Sequence, residues 1–324
     1  MDDLNLMSTS IADTQDLLSK CTTALSWAGM NFRADKSCSI IICNGRSINS
    51  TPFKVSEPTS PTDFSCYIPS IHSTPVKFLG RKIDGSLSDR KAIDELEEKL
   101  MSNLKTIHKS PFSGTQKLWF LQHLLVPRIQ WSLLIYEVST SCALLLEKQI
   151  SVFIRKWLKI HPSITNLSFY SPLSPCPLPL KPLTTVLKSA KISGHLLLRD
   201  SNDCTVSSAN PKLKVGNWKV DSASSVAEAE LVFQQICGPL QMGRSGLGVS
   251  KLSPIPEKGT YDFRKLVSST SRSIEEEQHS QKALQLKLQC HWMTWENYTK
   301  YDLSWQYLLA MPPNLLSFCI GLTY

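Results

Sequence analysis

The spacing of hydrophobic residues changes near residue 86, and this change limits the folds that the 324-residue chain can adopt. Before it, apolar residues form short alternating or continuous runs, which predict strands. Strands are predicted at 4–8, 39–43 (as a buried strand), 53–55, 66–68 and 76–79. One helix is predicted over 14–28, with Asp13 as its N-cap and Gly29 as its stop. The chain up to residue 85 therefore predicts a small α+β piece.

After residue 86 the spacing becomes helical. Ile93, Leu96, Leu100 and Leu104 recur on one face of a helix that Ser88 is expected to cap. Further helices are predicted from Ser113, after Pro127, and at 140–160, 182–199, 222–237, 273–290 and 305–324, the last with a break at Pro312-Pro313. The fold class is thus α+β, with most of the chain helical.

These patterns divide the chain into four regions. Residues 1–85 form the β-containing piece, and 86–170 an all-helical domain. Residues 171–271 are a proline-rich connector with short helices, and they end in a linker rich in Gly, Ser and Pro. The linker reaches residue 272, where the next region begins. Residues 272–324 form a helical carboxyl-terminal segment.

Positive charge is concentrated in the middle of the chain. The net charge is +8 in total, and residues 81–200 hold 17 Lys/Arg against 9 Asp/Glu. A localised basic excess is typical of a surface that binds a polyanion, most often nucleic acid. A solvated basic face is the alternative.

The ten cysteines are scattered, without a C-x-x-C pair, so a zinc site is not predicted. No signal peptide is recognisable after Met1, and no apolar run reaches the roughly 18 residues of a membrane span. We therefore expect a cytoplasmic or nuclear protein with free thiols and no membrane partner.

Two adjacent carboxylates, Asp2 and Asp3, lead into the first predicted strand. Neighbouring carboxylates on a turn can share a divalent metal, and Mg²⁺ prefers such oxygen ligands. Polymerases use two Mg²⁺ ions to activate a hydroxyl and stabilise the leaving pyrophosphate. By itself, however, such a pair is more often solvated or helix-capping.

The wider sequence resembles the reverse transcriptases of non-long-terminal-repeat (LINE-like) retrotransposons. The resemblance rests on MDDLNLMSTS, AGMNFRADKS and KFLGRKID in that order, and on later segments including GPLQMGRSGLG and LSWQYLLAMPPNLLSFCIGLTY. It implies a partial polymerase palm, then a helical thumb and a helical carboxyl-terminal region. It also implies RNA-directed DNA polymerase ancestry, with Mg²⁺ as the metal of the intact family and an RNA/DNA duplex as partner.

Residue roles follow from the resemblance alone. Asp2 and Asp3 match the metal-binding pair, and Lys36 matches a lysine assigned to proton donation or phosphate contact. Phe78, Leu79 and Gly80 match the primer grip. Lys36 is also consistent with an exposed surface lysine, and Gly80 with a simple turn glycine.

The chain also departs from the family pattern. The upstream palm strand with a further Asp, the aromatic residue before Asp2, and the fingers do not occur in this sequence. Two-metal chemistry needs several ligands held in fixed geometry. We therefore expect a catalytically inactive chain with residual non-specific nucleic-acid binding. A basic helical protein–protein interaction module is the alternative, and an active polymerase would need the missing palm from another chain.

The middle region then corresponds to the thumb, which grips duplex. Its candidate phosphate contacts are Lys99, Lys105, Lys109, Lys117, Arg128, Lys148, Arg155, Lys156 and Lys159. Trp119, Trp131 and Trp157 lie in apolar helical patterns, so we expect them in the core and not as base-stacking platforms.

Overall fold

The computed structural model describes residues 4–30, 32–49, 53–56, 65–73, 75–78, 80–170, 177–209, 213–238, 240–242, 248–250, 254–285 and 303–323. The helices are α1 Ile11–Trp27, α2 Arg90–Lys109, α3 Gly114–Phe120, α4 Val126–Ile135, α5 Thr140–Leu158, α6 Leu167–Tyr170, α7 Leu183–Arg199, α8 Cys204–Ala209, α9 Val220–Cys237, α10 Tyr261–Leu284, α11 Trp305–Ala310 and α12 Pro313–Thr323. The strands are β1 Ile41–Cys43, β2 Arg46–Ile48, β3 Phe53–Ser56, β4 Ser65–Ile68, β5 Val76–Phe78, β6 Arg81–Ile83, β7 Lys214–Val215, β8 Trp218–Lys219, β9 Leu240–Met242 and β10 Gly248–Ser250. The α+β class is confirmed at this level.

Chain contacts divide the protein into an amino-terminal unit, Met1–Ala92, and a helical unit, Ile93–Tyr324. The first boundary lies a few residues after the predicted one. The remaining three predicted regions fall within a single unit, because helices from each of them pack on one another.

The helix of the amino-terminal unit, α1, begins at Ser10 and not at the predicted Asp13. The Ser10 hydroxyl accepts a hydrogen bond from the Asp13 amide at 3.0 Å, as an N-cap does. Asp13 instead lies in the first turn, where its charge favours the helix dipole. Gly29 ends the helix as predicted, with φ +73°.

Six strands of this unit form three antiparallel hairpins, β1–β2, β3–β4 and β5–β6. Its core consists of Leu18 from α1 together with buried side chains from the strands and the turn after α1, namely Ala34, Phe53, Val55 and Ile68. Gln15 ties α1 to β3, because its side-chain amide donates to the Lys54 carbonyl at 2.7 Å and accepts from the Lys54 amide.

Two strand predictions for this unit are wrong. Residues 4–8 have no regular structure, because no described strand pairs with them. The predicted buried strand at 39–43 is shorter, Ile41–Cys43, and Ile42 is 57% exposed. Its hairpin has only two strands, so one face of it has no apolar layer to pack against among the described residues. The predicted strands at 53–55, 66–68 and 76–79 are confirmed as β3, β4 and β5, although Leu79 lies outside the described residues.

The helical unit begins with α2, which buries Leu96, Leu100 and Leu104 on the predicted face. A continuous helix follows from Gly114 to Ile135, in which the five residues Leu121–Leu125 form a π-helical segment between α3 and α4. The segment ends two residues before Pro127. A proline inside an α-helix lacks a donor and clashes with the carbonyl four residues earlier. The wider π turn therefore lets the helix continue where a separate helix was predicted.

Helix α7 lies at the centre of this unit and packs against α4, α5, α9 and α10. Leu183, Leu187, Ile192 and Leu196 are buried along it. Lys191 is only 2% exposed, and its ammonium donates to the carbonyls of Leu134 and Tyr136 at 2.7 and 2.8 Å. A buried cation thus satisfies carbonyls that the end of α4 leaves without helical partners.

Polar side chains also join α7 to its neighbours. Glu147 of α5 accepts hydrogen bonds from the amide and the hydroxyl of Thr184 at 3.1 and 2.9 Å, in the first turn of α7. Lys188 and Glu275 form an ion pair at 2.6 Å between α7 and α10, with both side chains largely buried. These contacts fix the segment predicted as a connector within the fold.

Helix α10 begins at Tyr261, well before the predicted residue 273. Phe263 and Val267 are buried at its start, so the packing extends into the stretch predicted as linker. The helices at 305–324 are confirmed as α11 and α12, with the break at Pro312-Pro313. Within the described part of the chain, no helix is long and apolar enough to cross a membrane.

Candidate nucleic-acid interface

The predicted metal pair, Asp2 and Asp3, lies outside the described residues. The fit of Mg²⁺ to this pair therefore stays a prediction. Across the residues that the structure does describe, no three His, Cys, Asp or Glu side chains are grouped so that they could hold a metal ion.

Lys36 ends a short 3₁₀ turn, Ala34–Lys36, and its side chain is exposed. Its amide donates to the Arg33 carbonyl at 3.2 Å, as expected for a turn between α1 and β1. The placement agrees with the simple surface lysine that the sequence left open. The catalytic role implied by the resemblance stays a prediction.

The predicted primer grip lies at the β5–β6 turn. Phe78 pairs with Arg81 across the hairpin and is 37% exposed, and Gly80 has φ +86°. This backbone conformation favours glycine, so the turn alone explains Gly80. Arg81 holds Asp89 with hydrogen bonds of 3.0 and 3.2 Å. The primer-grip role of Phe78, Leu79 and Gly80 stays a prediction.

The predicted phosphate contacts lie in a stretch without acidic residues. From Lys99 to Tyr136 the sequence contains five Lys/Arg and no Asp or Glu. The stretch covers the second half of α2, all of α3 and α4, and the π turn between them. Its Lys99, Lys105, Lys109 and Arg128 are exposed, and Lys117 is half-buried. The absence of carboxylates beside these cations is a further signal that the sequence itself carries and that the regional charge count does not show.

Three lysines lie next to His108, at the end of α2, or contact one of its neighbours. Lys117 donates from Nζ to the His108 carbonyl at 2.9 Å. The His108 ring contacts the Phe153 ring edge-on, with 5.8 Å between centroids. Lys156 places Nζ 5.6 Å from the centroid of the same Phe153 ring. We call Lys109, Lys117 and Lys156 the basic end.

Close backbone contact fixes this arrangement. A Cβ atom on Gly114 would lie 2.1 Å from the Trp157 carbonyl oxygen, so only glycine fits where α3 meets α5. Ser113 caps α3 through a reciprocal capping box with Gln116. The basic end is therefore held by rigid helix termini.

The Arg155 side chain makes its contacts within the protein. Its guanidinium donates to the Ile164 carbonyl at 2.7 Å and also to the Asn166 side chain, and it lies over the Phe169 ring at 5.2 Å. Burial lowers its pKa, an effect that Tyr170 partly offsets. This side chain holds the loop between α5 and α6, and its role as a phosphate contact stays a prediction.

The other predicted contacts are more scattered. Lys99 lies 3.8 Å from Glu95, one turn earlier on α2, and Lys105, Lys148 and Arg128 are exposed on α2, α5 and α4. Lys159 adopts φ +55° at the C-cap of α5. The structure thus links Lys109, Lys117 and Lys156 through His108, and leaves these five outside that group.

The basic end also has a purely structural explanation. His108 and Lys109 lie in the last turn of α2, and Lys156 lies in the last turn of α5. Cations there interact favourably with the helix dipole, at about 0.3–1 kcal/mol each on an exposed surface. Lys117, on α3, donates to the His108 carbonyl in that same last turn of α2, so helix ends account for all three lysines and phosphate binding by them stays a prediction.

The tryptophan predictions hold in part. Trp157 is 6% exposed and belongs to the core, as predicted. Trp119 is half-buried. Trp131 is 56% exposed, so the prediction for it is wrong. The prediction assumed uniform α-helical spacing up to Trp131. The π turn inserts one extra residue before α4, so the positions that face the core shift by one along the sequence.

The sequence was compared with family models and with curated proteins, and neither comparison gives a match.

Proposed function

We propose that this protein binds nucleic acid non-specifically, through phosphate contacts made by the basic end. The observation that carries the proposal is the stretch from Lys99 to Tyr136, which contains cations and no carboxylate. Lys117 of this stretch donates to the His108 carbonyl, next to Lys109, and Lys156 lies over the Phe153 ring that His108 contacts. A polyanion bound along the stretch would therefore meet lysines and no carboxylate of the stretch itself.

The resemblance to LINE-like reverse transcriptases supports the same proposal. In that family a helical thumb grips duplex product, and the basic end lies in the corresponding region. Contacts of lysine with phosphate carry no sequence information. They release counterions, so affinity falls steeply as salt rises.

A triple variant, Lys109→Ala/Lys117→Ala/Lys156→Ala, tests this proposal. Duplex binding is measured by fluorescence anisotropy between about 50 and 200 mM salt. The slope of log affinity against log salt should become shallower by about 3, roughly one per lost phosphate contact. The control, Lys20→Ala/Lys54→Ala/Lys77→Ala, removes the same charge from the amino-terminal unit. If both triple variants lose the same duplex affinity, net charge alone explains the loss. That result would contradict the assignment of binding to the basic end.

A protein–protein interaction module is the second candidate. It is favoured by an exposed apolar stripe on α9, formed by Val226, Val232, Phe233 and Ile236, with exposed fractions of 56%, 50%, 59% and 71%. Such stripes typically mark contact surfaces. Duplex affinity that does not change with salt would favour this candidate over phosphate binding.

We propose binding alone. Polymerisation is tested separately by primer extension with Mg²⁺ or Mn²⁺. Extension that Asp3→Ala abolishes would assign catalysis to the acidic pair.

A further inference from the structure

Five aromatic rings contact one another in succession beside the basic end. Phe112 meets Phe120 at 4.9 Å between centroids, Phe120 meets Trp119 at 5.5 Å, Trp119 meets His123 at 4.9 Å, and His123 meets Trp305 at 5.1 Å. We call these rings the aromatic ladder. The first four come from the loop after α2, from α3 and from the π turn. The fifth comes from α11, so the carboxyl-terminal segment completes the ladder.

The ladder combines firm packing with access to solvent. Phe112 is 44% exposed and His123 is exposed, whereas Trp119, Phe120 and Trp305 are half-buried. Two pairs are only slightly tilted, with 32° between the Phe112 and Phe120 planes and 35° between the Trp119 and His123 planes. In each pair a half-buried ring supports a more exposed one. The exposed rings are therefore held in place before any ligand arrives.

Charge along the chain around the first four rings of the ladder is positive. Lys109 precedes Phe112 by three residues, and Lys117 lies between Phe112 and Phe120 in the chain. The amide of Lys181 donates to the Gln122 side chain at 3.1 Å, which places a third lysine beside the π turn. All of the ladder except Trp305 lies in the stretch without Asp or Glu.

Unpaired nucleic-acid bases match this combination of features. Every base has a π face that stacks on an aromatic ring, and its phosphate suits a nearby ammonium group. In a duplex the base faces are already stacked on one another, so a duplex cannot use the rings. An apolar peptide could use the rings, but it would gain nothing from the lysines.

We propose that the aromatic ladder binds single-stranded nucleic acid, with unpaired bases stacked on Phe112 and His123 and with phosphates near Lys109 and Lys117. This inference rests on the proposed nucleic-acid binding and adds the strandedness of the ligand. It also gives the carboxyl-terminal helices a role, because Trp305 supports His123.

The full chain is tested against a thymidine oligonucleotide of about 20 nucleotides, longer than the roughly 4–16 that known single-strand sites cover. A duplex of equal length is measured in parallel. The double variant Phe112→Ala/His123→Ala should weaken single-strand binding by at least about fivefold. Duplex binding should stay within about twofold, because the lysines remain.

Two control variants sharpen this test. Phe233→Ala removes a similarly exposed ring from α9 and should leave both affinities unchanged. Phe112→Tyr keeps the ring and should keep single-strand binding, which separates loss of stacking from loss of folding. Far-UV circular dichroism of each variant reports the fold.

The outcomes separate the two proposals. If the double variant weakens the affinities for single strand and duplex equally, or weakens neither, the ladder proposal is overturned. Salt-dependent duplex binding would still stand. Wild-type protein that binds neither ligand would overturn both proposals. Poly-glutamate that binds as tightly as the oligonucleotide, and loses affinity in the double variant, would assign the ladder to an acidic protein partner instead.

Discussion

The two units of this protein bury their apolar residues to very different extents. In the amino-terminal unit the core is small and each sheet is a two-stranded hairpin, while Trp27 is 92% exposed and Met7 86% exposed. In the helical unit α7 is surrounded by α4, α5, α9 and α10, and Leu187 and Leu196 are 0% exposed.

The difference shows that an amphipathic element needs other elements to pack against its apolar side. A two-stranded hairpin has little buried area of its own and depends on a further layer for stability. A central helix finds partners on several sides within its own unit. Similar hydrophobic content therefore gives a robust core in one unit and exposed apolar side chains in the other.

The largest expected effect is in the core of the helical unit. Leu187→Ala should lower the free energy of unfolding by about 2–5 kcal/mol, because it leaves a cavity among closely packed helices. The control Leu197→Ala, at a position on the same helix that is 56% exposed, should change it by only about 0.5 kcal/mol. Urea unfolding followed by circular dichroism measures both. If both variants lower the free energy of unfolding equally, α7 is not the centre of the core.

A smaller effect is expected at two glycines, with opposite signs in the two units. Gly80→Ala should destabilise the β5–β6 hairpin by about 1 kcal/mol, because φ +86° disfavours a side chain. Gly194→Ala should stabilise α7 by up to about 1 kcal/mol, because its Cβ would meet Leu134 at an ordinary 3.4 Å. Hydrogen exchange of peptides covering 76–83 and 183–199 reads the two changes separately. Destabilisation at both sites would contradict the expected contrast.

The smallest effect concerns pH. Burial lowers the pKa of His279 below its ordinary 6.5, with Lys282 and Lys188 adding to the shift and with Glu147 and Glu275 opposing it. The unfolded chain therefore binds the proton more readily, so stability is full above about pH 6.5 and falls as the pH drops below it.

In the amino-terminal unit, hydrogen bonds from Ser86, with Lys91 adding to them, lower the pKa of Asp84 below its ordinary 3.8. The contribution of Asp84 to the stability of the fold is lost only below about pH 3.8. The helical unit should thus weaken first on mild acidification. His279→Gln should remove part of that loss, measured as the urea midpoint at pH 7 and pH 5.5. A midpoint that falls equally in wild type and variant would show that His279 does not contribute.

Local patterns predicted much of the helical unit. The leucine spacing correctly predicted the buried face of α2, and Ser113 correctly predicted the start of α3. The Pro312-Pro313 pair correctly predicted the break between α11 and α12. These features depend on residues within a few turns of one another. The predicted strand at 4–8 was wrong for the opposite reason, because a strand exists only where a partner pairs with it, and alternation cannot supply the partner.

The candidate site was predicted only in outline. The charge count predicted a basic middle region, but it could not distinguish Arg155, held by Ile164 and Asn166, from the exposed Lys156 beside it. The contact between His123 and Trp305 joins residues that are far apart in the chain. No periodicity reports such a pair, so the aromatic ladder appears only after folding.

The π turn at Leu121–Leu125 has a consequence for how length variation would act here. Such a turn holds one residue more than the α-helical turn it replaces, and it fits that residue in by rotating the chain less at each position. Deleting one of its five residues would restore α-helical winding and leave the outward side of α4, with Arg128 and Trp131, facing nearly the same way. The deletion would instead bring Pro127 against a backbone carbonyl four residues before it, so a single lost codon would strain the helix without reorienting its surface.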